Sequence, residues 1–148
     1  MTRLLSSSSP RLFSADAANK MLPLISAIAS DLIPLWQTVT GTRKRLKHLI
    51  ENRGVELGNP YSDELGEMEA RLASQSIRVE SFVDELRELG VEFKGSGENG
   101  HICFPTMLEG KLVYLSWCPG ELEVTHWIDF DGEFESRQAL MQSALAAD

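Results

Sequence analysis

The sequence predicts an α+β fold: a long antiparallel helical hairpin packed on a small antiparallel β-meander, followed by a short C-terminal helix. Two observations support this prediction. Apolar residues recur at helical spacing between residues 14 and 90, and after Gly90 the apolar period changes to two. A chain of 148 residues is also long enough to bury a core as one domain.

The domain organisation follows from this change of period. Residues 1–13 are expected to form a flexible Ser-rich tail, and residues 14–148 a single domain. Within that domain the helical hairpin occupies 14–90, the β-meander 91–130, and a C-terminal turn and helix 131–148.

The two helices have recognisable ends. Ser14 is a good N-cap for the first helix, and Pro23 and Pro34 are expected to kink or break it. The second helix should begin between Asn59 and Ser62 and end at Gly90, a natural C-cap. Its apolar positions form a heptad seam with Gln75 as the one polar member: Leu65, Met68, Leu72, Val79, Phe82, Leu86 and Leu89.

Four strands are expected, at residues 91–94, 101–106, 112–118 and 122–128, with tight turns at Leu108–Lys111 and Cys118–Glu121. If both turns close hairpins, the face that packs on the helices carries Ile102, Phe104, Val113, Leu115, Trp117, Leu122, Val124 and Ile128. The opposite face then carries His101, Cys103, Tyr114, Ser116, Cys118, Glu123, Thr125 and Trp127. A slip of one residue would exchange the two sets.

Composition excludes several classes of protein. The net charge of −8 argues against general nucleic-acid binding, and the basic group Arg43–Lys47 is interpreted as the solvated end of a helix. Two cysteines are too few for a disulfide framework. No apolar run approaches the length of a membrane span, and the N-terminus lacks the apolar block of a signal peptide. We therefore expect a cytoplasmic protein with reduced thiols and no cofactor.

Metal binding is the first chemical hypothesis. His101, Cys103 and Cys118 share one face of the expected sheet and are weak candidates for zinc ligands. The spacing signal is poor because there is no Cys-x-x-Cys motif. Two small buried thiols and a surface histidine explain the same residues without a metal.

Acid–base chemistry is the second hypothesis. Four carboxylates lie close in sequence to His126 and Arg137, namely Glu121, Asp129, Asp131 and Glu133. A turn followed by a helix N-terminus accounts for the carboxylates equally well, and Arg137 could simply lock the C-terminal segment by packing on Trp127 or pairing with Asp129. The candidate ligand-binding residues are His101, Tyr114, His126, Trp127, Asp129, Arg137 and Gln138.

The third hypothesis is self-association. The first helix carries a second apolar stripe that includes Leu24, Ile33 and Trp36, and a homodimer could bury it in a four-helix arrangement. Packing of this stripe on the protein's own sheet is the competing explanation.

The segments FSADAANKMLPLI and LVYLSWCPGELEVTHWIDFDGEFESRQAL flank a long helical middle. This combination resembles the bacterial family called domain of unknown function 2203, from Phe13 to Leu140. That family usually has histidine where this chain has Ile128, often cysteine at Ser116, and usually proline at Ala139. It has no established activity, so the resemblance implies a fold and a compartment only.

Taken together, these features predict a cytoplasmic interaction or assembly module that self-associates as a homodimer through its helical hairpin, with no membrane and no nucleic acid as partner. The alternative is a small metal- or ligand-binding enzyme, hydrolase-like, with its site on the polar sheet face and the loop from Asp129 to Arg137.

Overall fold

The computed structural model describes residues 11–53, 60–96 and 99–140. It contains two long helices, α1 (Ala15–Arg53) and α2 (Pro60–Glu88), and one antiparallel sheet. The five strands lie in chain order across that sheet and are β1 (Glu92–Ser96), β2 (Asn99–Leu108), β3 (Lys111–Trp117), β4 (His126–Asp129) and β5 (Gln138–Ala139). The α+β class is therefore correct.

Helix α1 runs without a break past both of its prolines. Pro23 and Pro34 are exposed, so the carbonyl group that each proline leaves without a helical donor can be hydrated. The helix begins where expected, because Ser14 Oγ accepts a hydrogen bond from Ala17 N–H at 3.0 Å. The break expected at the prolines is absent.

Helix α2 ends in a Schellman motif around Gly90. Gly90 has a φ of +90°, and its N–H donates to the carbonyl of Arg87 at 2.9 Å. The N–H of Val91 donates to the carbonyl of Leu86 at 3.0 Å, which satisfies a second carbonyl of the last turn. Gly90 is thus the C-cap that the sequence predicts.

The β2–β3 hairpin confirms the first predicted turn and its register. Leu108 pairs with Lys111, Phe104 with Leu115 and Ile102 with Trp117. The two turn residues, Glu109 and Gly110, both have positive φ, at 52° and 78°, as a tight two-residue hairpin requires.

The register predicted for the following strand is wrong. Leu115 pairs with Trp127, and Ser116 pairs with His126, whereas the sequence suggested Val124 as the partner of Leu115. Because the difference is an odd number of residues, the faces of β4 are exchanged. His126 and Ile128 lie on the face of Ser116, and Trp127 and Asp129 lie on the face of Leu115.

The chain departs from the predicted register because the residues that directly follow the second turn do not pair with β3. Glu121 N–H donates to the carbonyl of Cys118 at 3.1 Å, and the Glu121 carboxylate accepts from Cys118 N–H at 2.9 Å. Trp117 Nε1–H donates to the carbonyl of Glu121 at 2.8 Å. The turn is satisfied locally, so residues 122–125 are left irregular, and Leu122, placed in the core by the predicted register, is 94% exposed.

The described part of the chain divides into two compact units. The first comprises residues 11–30, 83–96 and 99–140, and the second comprises residues 31–53 and 60–82. In the first unit, the buried face of α1 and the apolar sheet face supply a common core, whose members include Ala18, Leu22, Ile25, Leu86, Ile102, Phe104, Val113, Leu115, Trp117 and Val124.

The boundary of the predicted N-terminal tail needs correction. Phe13 is buried, its N–H donates to the carbonyl of Pro105 at 2.8 Å, and its ring meets Phe104 edge to face at 5.4 Å. Arg11 donates to the carbonyl of Leu89 at 3.3 Å. Ordered contacts therefore begin by Arg11, and the rest of the predicted tail, residues 1–10, lies outside the described residues.

The C-terminal helix predicted over residues 131–148 is wrong in the part that the structure describes. A single 3₁₀ turn spans Phe134–Ser136, closed by a capping box between Glu133 and Ser136. Arg137 is extended, and Gln138–Ala139 pairs with β4 as β5. Tertiary hydrogen bonds of Arg137 and the ladder to β4 outweigh helix propensity here. The remaining predicted positions, residues 141–148, lie outside the described residues.

In the second unit, α1 and α2 contact each other where Arg43 Nη2 donates to Ser76 Oγ at 3.0 Å. Helix α1 is long and apolar enough, by length and composition, to cross a membrane over Ala15–Glu51, a test that the core helix of a globular protein also passes. Several residues of its face in the first unit, such as Ala18 and Ile25, are fully buried in the sheet core.

Asn19 of α1 is expected to stabilise the irregular segment before β4. Its Oδ1 accepts a hydrogen bond from the buried Val124 N–H at 2.7 Å. Asn19→Ala leaves that N–H unpaired and should cost about 1–2 kcal/mol in the free energy of unfolding, measured by chemical denaturation. Lys20→Ala, on the exposed side of the same turn, should change it by less than about 0.5 kcal/mol. Equal effects of the two substitutions would contradict this role for Asn19.

Candidate functional site

The polar face of the sheet carries a connected cluster of side chains beneath the segment that follows β4. His101 and Cys103 come from β2, and Ser116 from β3, which lies next to β2 in the sheet. All three are buried, and alternation along the strands places them on the face opposite the helices. The segment after β4 adds Phe134, whose ring meets His101 edge to face at 5.5 Å, and Arg137.

Arg137 closes the cluster from above. Its Nε donates to Ser116 Oγ at 2.9 Å, and its Nη2 donates both to the carbonyl of Ser116 at 3.0 Å and to Glu121 Oε1 at 2.6 Å. Its guanidinium carbon also lies 5.1 Å from the Phe134 ring centroid. Only 11% of the Arg137 side chain is exposed, so this ion pair is largely shielded from solvent.

The hydrogen bonds connect three side chains of the cluster. Arg137 can only donate, so the Ser116 hydroxyl accepts from it, and Ser116 Oγ also lies 2.6 Å from His101 Nδ1. When the hydroxyl donates to Nδ1, His101 is the neutral tautomer with its proton on Nε2, which lies 4.0 Å from Cys103 Sγ.

Electrostatics supports this assignment. Burial, reinforced by the positive charges of Arg137 and Lys94, lowers the pKa of His101 from its ordinary 6.5 to about 4. Burial raises the pKa of Cys103 to about 12, so that thiol is unreactive near neutral pH. Burial of Glu121 raises its pKa, but the hydrogen bonds from Arg137 and from Cys118 N–H outweigh this and hold the pKa below its usual value.

A second cluster lies on the same face around Tyr114. The Tyr114 and Phe130 rings are stacked, with centroids 4.3 Å apart and planes inclined by 7°. Lys94 of β1 lies 4.7 Å from the Tyr114 ring centroid and donates to the carbonyl of Phe130 at 2.9 Å. Burial raises the pKa of Tyr114. These contacts hold the start of the C-terminal segment on the sheet, as Arg137 holds its end.

The structure brings together three of the seven predicted binding residues, His101, His126 and Arg137. His126 Nδ1 lies 3.7 Å from Glu121 Oε2 and 3.0 Å from Thr125 Oγ1. Glu121 thereby joins His126 to Arg137.

The other four predicted residues lie elsewhere. Tyr114 belongs to the Phe130 cluster, Trp127 lies on the opposite face, and Gln138 is exposed in β5. Asp129 accepts from Lys111 Nζ at 2.7 Å, and this hydrogen bond raises the pKa of that lysine. The suggested partners of Arg137 on that side, Trp127 and Asp129, are replaced by Phe134, Ser116 and Glu121.

Metal binding finds no geometric support in the described residues. No group of three or more His, Cys, Asp or Glu side chains within residues 11–53, 60–96 and 99–140 is arranged to hold a metal ion. Cys103 lies beside His101, but Cys118 lies 3.8 Å from Arg137 Nη1, a cation that disfavours a bound metal. The weak candidates His101, Cys103 and Cys118 thus do not form a ligand set.

An open hollow of about 570 Å³ borders the cluster and is lined by Glu121, Leu122, Glu123 and Thr125. Of its lining residues only Glu121 belongs to the Arg137 network. The polar groups beneath are engaged with one another, so what the arrangement does chemically is to satisfy buried polar atoms and attach the C-terminal segment to the sheet.

The sequence did not identify Ser116 or Phe134 as members of a site. Ser116 was placed on the correct face, but a lone serine in a strand carries no signal of its own. Phe134 was assigned to a helix, which concealed its contact with His101. Spacing alone could have linked Cys118 and Glu121 through their turn, and this turn is where Arg137 makes its ion pair.

Comparison with known proteins places most of the chain in one family. The model of a family described as "Uncharacterized conserved protein (DUF2203)" matches residues 11–140. Neither the curated proteins nor the solved structures contain a significant match. The match covers both helices, the whole sheet and the Arg137 network.

Removal of Arg137 tests its structural role. Arg137→Ala removes the guanidinium donors from Ser116 and Glu121, which leaves Glu121 only the hydrogen bond from Cys118 N–H, and should cost about 2–4 kcal/mol, seen as a fall of several degrees in the melting temperature. Arg137→Lys keeps the charge but not the fork of donors, so it should recover only part of this loss. Arg71→Ala, on the exposed surface of α2, is the control and should have little effect. An unchanged melting temperature for Arg137→Ala would contradict the role.

Buried neutral His101 predicts a specific pH dependence. Its pKa is about 4 in the folded protein and near 6.5 when unfolded, so between these values the unfolded chain binds the proton more tightly. Its contribution is complete above pH 6.5 and is lost as pH falls toward 4, by at most about 3 kcal/mol.

The measurement is unfolding free energy against pH for the wild type and for His101→Asn. Asparagine offers an acceptor to Ser116 but does not titrate, so the variant should show a flatter profile between pH 6.5 and 4. Parallel profiles for the two proteins would show that His101 is not the titrating group.

Proposed function

The chain belongs to this family of uncharacterised conserved proteins, and we propose that it is a cytoplasmic assembly module that forms a homodimer through the helices of the second unit, residues 31–53 and 60–82. In this proposal α1 and α2 form an antiparallel hairpin in that unit, and two hairpins combine into a four-helix arrangement.

The observation that carries the proposal is incomplete burial of the α2 seam. Its last member, Leu89, is half-buried, whereas Leu65 and Leu86 are buried. All the positions between them are only half-buried: Met68, Leu72, Gln75, Val79 and Phe82. Two helices alone cannot enclose such a seam, and a second pair of helices can.

An exposed apolar side chain of α1 and an unpaired polar atom of the seam support the same proposal. Ile50 of α1 is 48% exposed. Gln75 Oε1 is buried without a hydrogen-bond partner among the described residues. A polar residue in an apolar seam costs stability and is a known means of selecting one register of association.

The predicted stripe on α1 is only partly available for such contacts. Ile33 is buried within its own chain, Trp36 is half-buried, and Leu24 is 51% exposed but belongs to the first unit. The proposed surface therefore centres on the seam of α2 and on the part of α1 that follows Val39.

The alternative, a small hydrolase-like enzyme, has weaker support. The polar groups that would supply its chemistry are paired with one another, since Ser116 and Glu121 are both held by Arg137. His101 and Ser116 are also buried beneath the C-terminal segment, out of reach of a substrate.

Light scattering coupled to size exclusion tests the proposal. The wild type should have twice the mass of a 16.5 kDa chain. Ile50→Asp should raise the dimer dissociation constant at least tenfold, because burying an isoleucine contributes roughly 1.5–3 kcal/mol and the two-fold axis counts it twice. Leu122→Asp changes an even more exposed apolar residue outside the helices and should leave the mass unchanged.

Circular dichroism guards against misfolding as the explanation. Ile50 is exposed in the single chain, so both variants should retain the wild-type helical signal. A wild-type mass equal to one chain at all concentrations tested would refute the proposal.

A further inference from the structure

The two helices of residues 31–82 carry two exposed groups of opposite charge. The basic turn of α1 consists of Arg43, Lys44, Arg45 and Lys47, and the acidic turn of α2 consists of Asp63, Glu64, Glu67 and Glu69. All eight side chains are exposed. Neither the core nor the Arg137 network accounts for this separation of charge.

The hydrogen bond from Arg43 to Ser76 shows how the two groups lie along the helices. At 1.5 Å per residue, Lys47 lies about 6 Å beyond Arg43 along α1. Glu69 lies about 10 Å from Ser76 along α2, and Asp63 about 20 Å. In an antiparallel hairpin, Lys47 and the acidic residues are all displaced from the Arg43–Ser76 contact in the same direction, toward the residues that connect the two helices. The basic and acidic turns are therefore offset and do not face each other squarely within one chain.

We infer that the acidic turn of each copy pairs with the basic turn of a second copy, around a two-fold axis perpendicular to the helices. This inference rests on the proposed homodimer and specifies its register. The axis lies midway, along the hairpin, between the basic turn and the acidic turn. Rotation about it places the acidic turn of the second copy beside the basic turn of the first, and the reverse, so the pairing occurs twice.

The residues at the level of this axis are apolar. About 9 Å from the Arg43–Ser76 contact lie Leu49 and Ile50 on α1, and Leu72 and Met68 bracket the same level on α2. Ile50 is 48% exposed, and the other three are half-buried. An apolar centre flanked by complementary charges has the arrangement of a specific protein interface.

A second copy fits these charges better than an anionic macromolecule does. The basic turn alone could attract a polyanion, but the acidic turn lies within about 20 Å on the same hairpin, and the chain as a whole has a net charge of −8. Only a partner with both signs of charge in the same spacing satisfies both turns, and this chain has that spacing by symmetry.

Charge-reversal variants provide the test. The first carries Lys44→Glu, Arg45→Glu and Lys47→Glu, and the second carries Glu64→Lys, Glu67→Lys and Glu69→Lys. Lys44 and Lys47 share one side of α1 and Glu64 and Glu67 share one side of α2, so these four positions carry the expected effect. Each variant alone places like charges opposite each other, and its dimer dissociation constant should rise at least tenfold over wild type at about 0.1 M salt. Mixed in equal amounts, the two variants become complementary at both pairs of turns and should form a heterodimer.

The matched control reverses three other exposed charges of α2, by Glu80→Lys, Glu85→Lys and Glu88→Lys. This variant should keep the wild-type dissociation constant to within about threefold. Tagging the two chains with different masses lets native mass spectrometry count homodimers and heterodimers, and circular dichroism verifies folding of each variant.

The outcomes separate this inference from the proposed function. A dimeric wild type whose dissociation constant is unaffected by the first two variants overturns the register and leaves the dimer standing. A monomeric wild type overturns both. If both variants dimerise weakly and also fail to form a heterodimer on mixing, the register is overturned as well. The reversed charges would then weaken the dimer without pairing with charges of the second copy.

Discussion

The ion pair between Arg137 and Glu121 is the contact on which one face of the sheet depends. The helices cover the other face with an apolar core, but the face of His101 and Ser116 presents polar atoms that need partners once water is excluded. Arg137 supplies those partners and ties the segment after β4 to the turn after β3. The Ser116 hydroxyl that accepts from its guanidinium also lies 2.6 Å from His101 Nδ1, so the ion pair is connected to the buried imidazole.

The two units differ in how completely their apolar side chains are buried and their polar atoms are paired. In the first unit both sheet faces are covered, one by helix and one by the segment from Phe130 to Arg137, and its polar cluster is internally paired. In the second unit the apolar seam is half-covered, and Gln75 Oε1 lacks a partner among the described residues. The described residues therefore complete the polar contacts of the first unit but not the burial of the seam in the second.

Local sequence signals predicted the elements whose partners lie nearby in the chain. Helix periodicity, the Gly90 cap and the Glu109–Gly110 turn all depend on neighbours, and the β2–β3 register followed from that turn. The β4 register and the C-terminal segment depend on distant contacts instead. Asn19 accepts a hydrogen bond from Val124, which is distant from it in the sequence, and Arg137 donates one to Ser116. The polar cluster was therefore only partly predicted. The alternation of side chains along β3 gave the correct face for Ser116, but the contact of Arg137 with it depends on the tertiary fold.

The register of β4 sets the surroundings of Ser116 and Ile128. With Tyr114 opposite Ile128 and Ser116 opposite His126, the two positions lie on the same sheet face, on adjacent strands, one diagonal step apart. The Ser116 hydroxyl therefore has an alkyl side chain on one diagonal and an imidazole directly opposite, so the polar network ends at Ile128 and can extend into β4 only through His126.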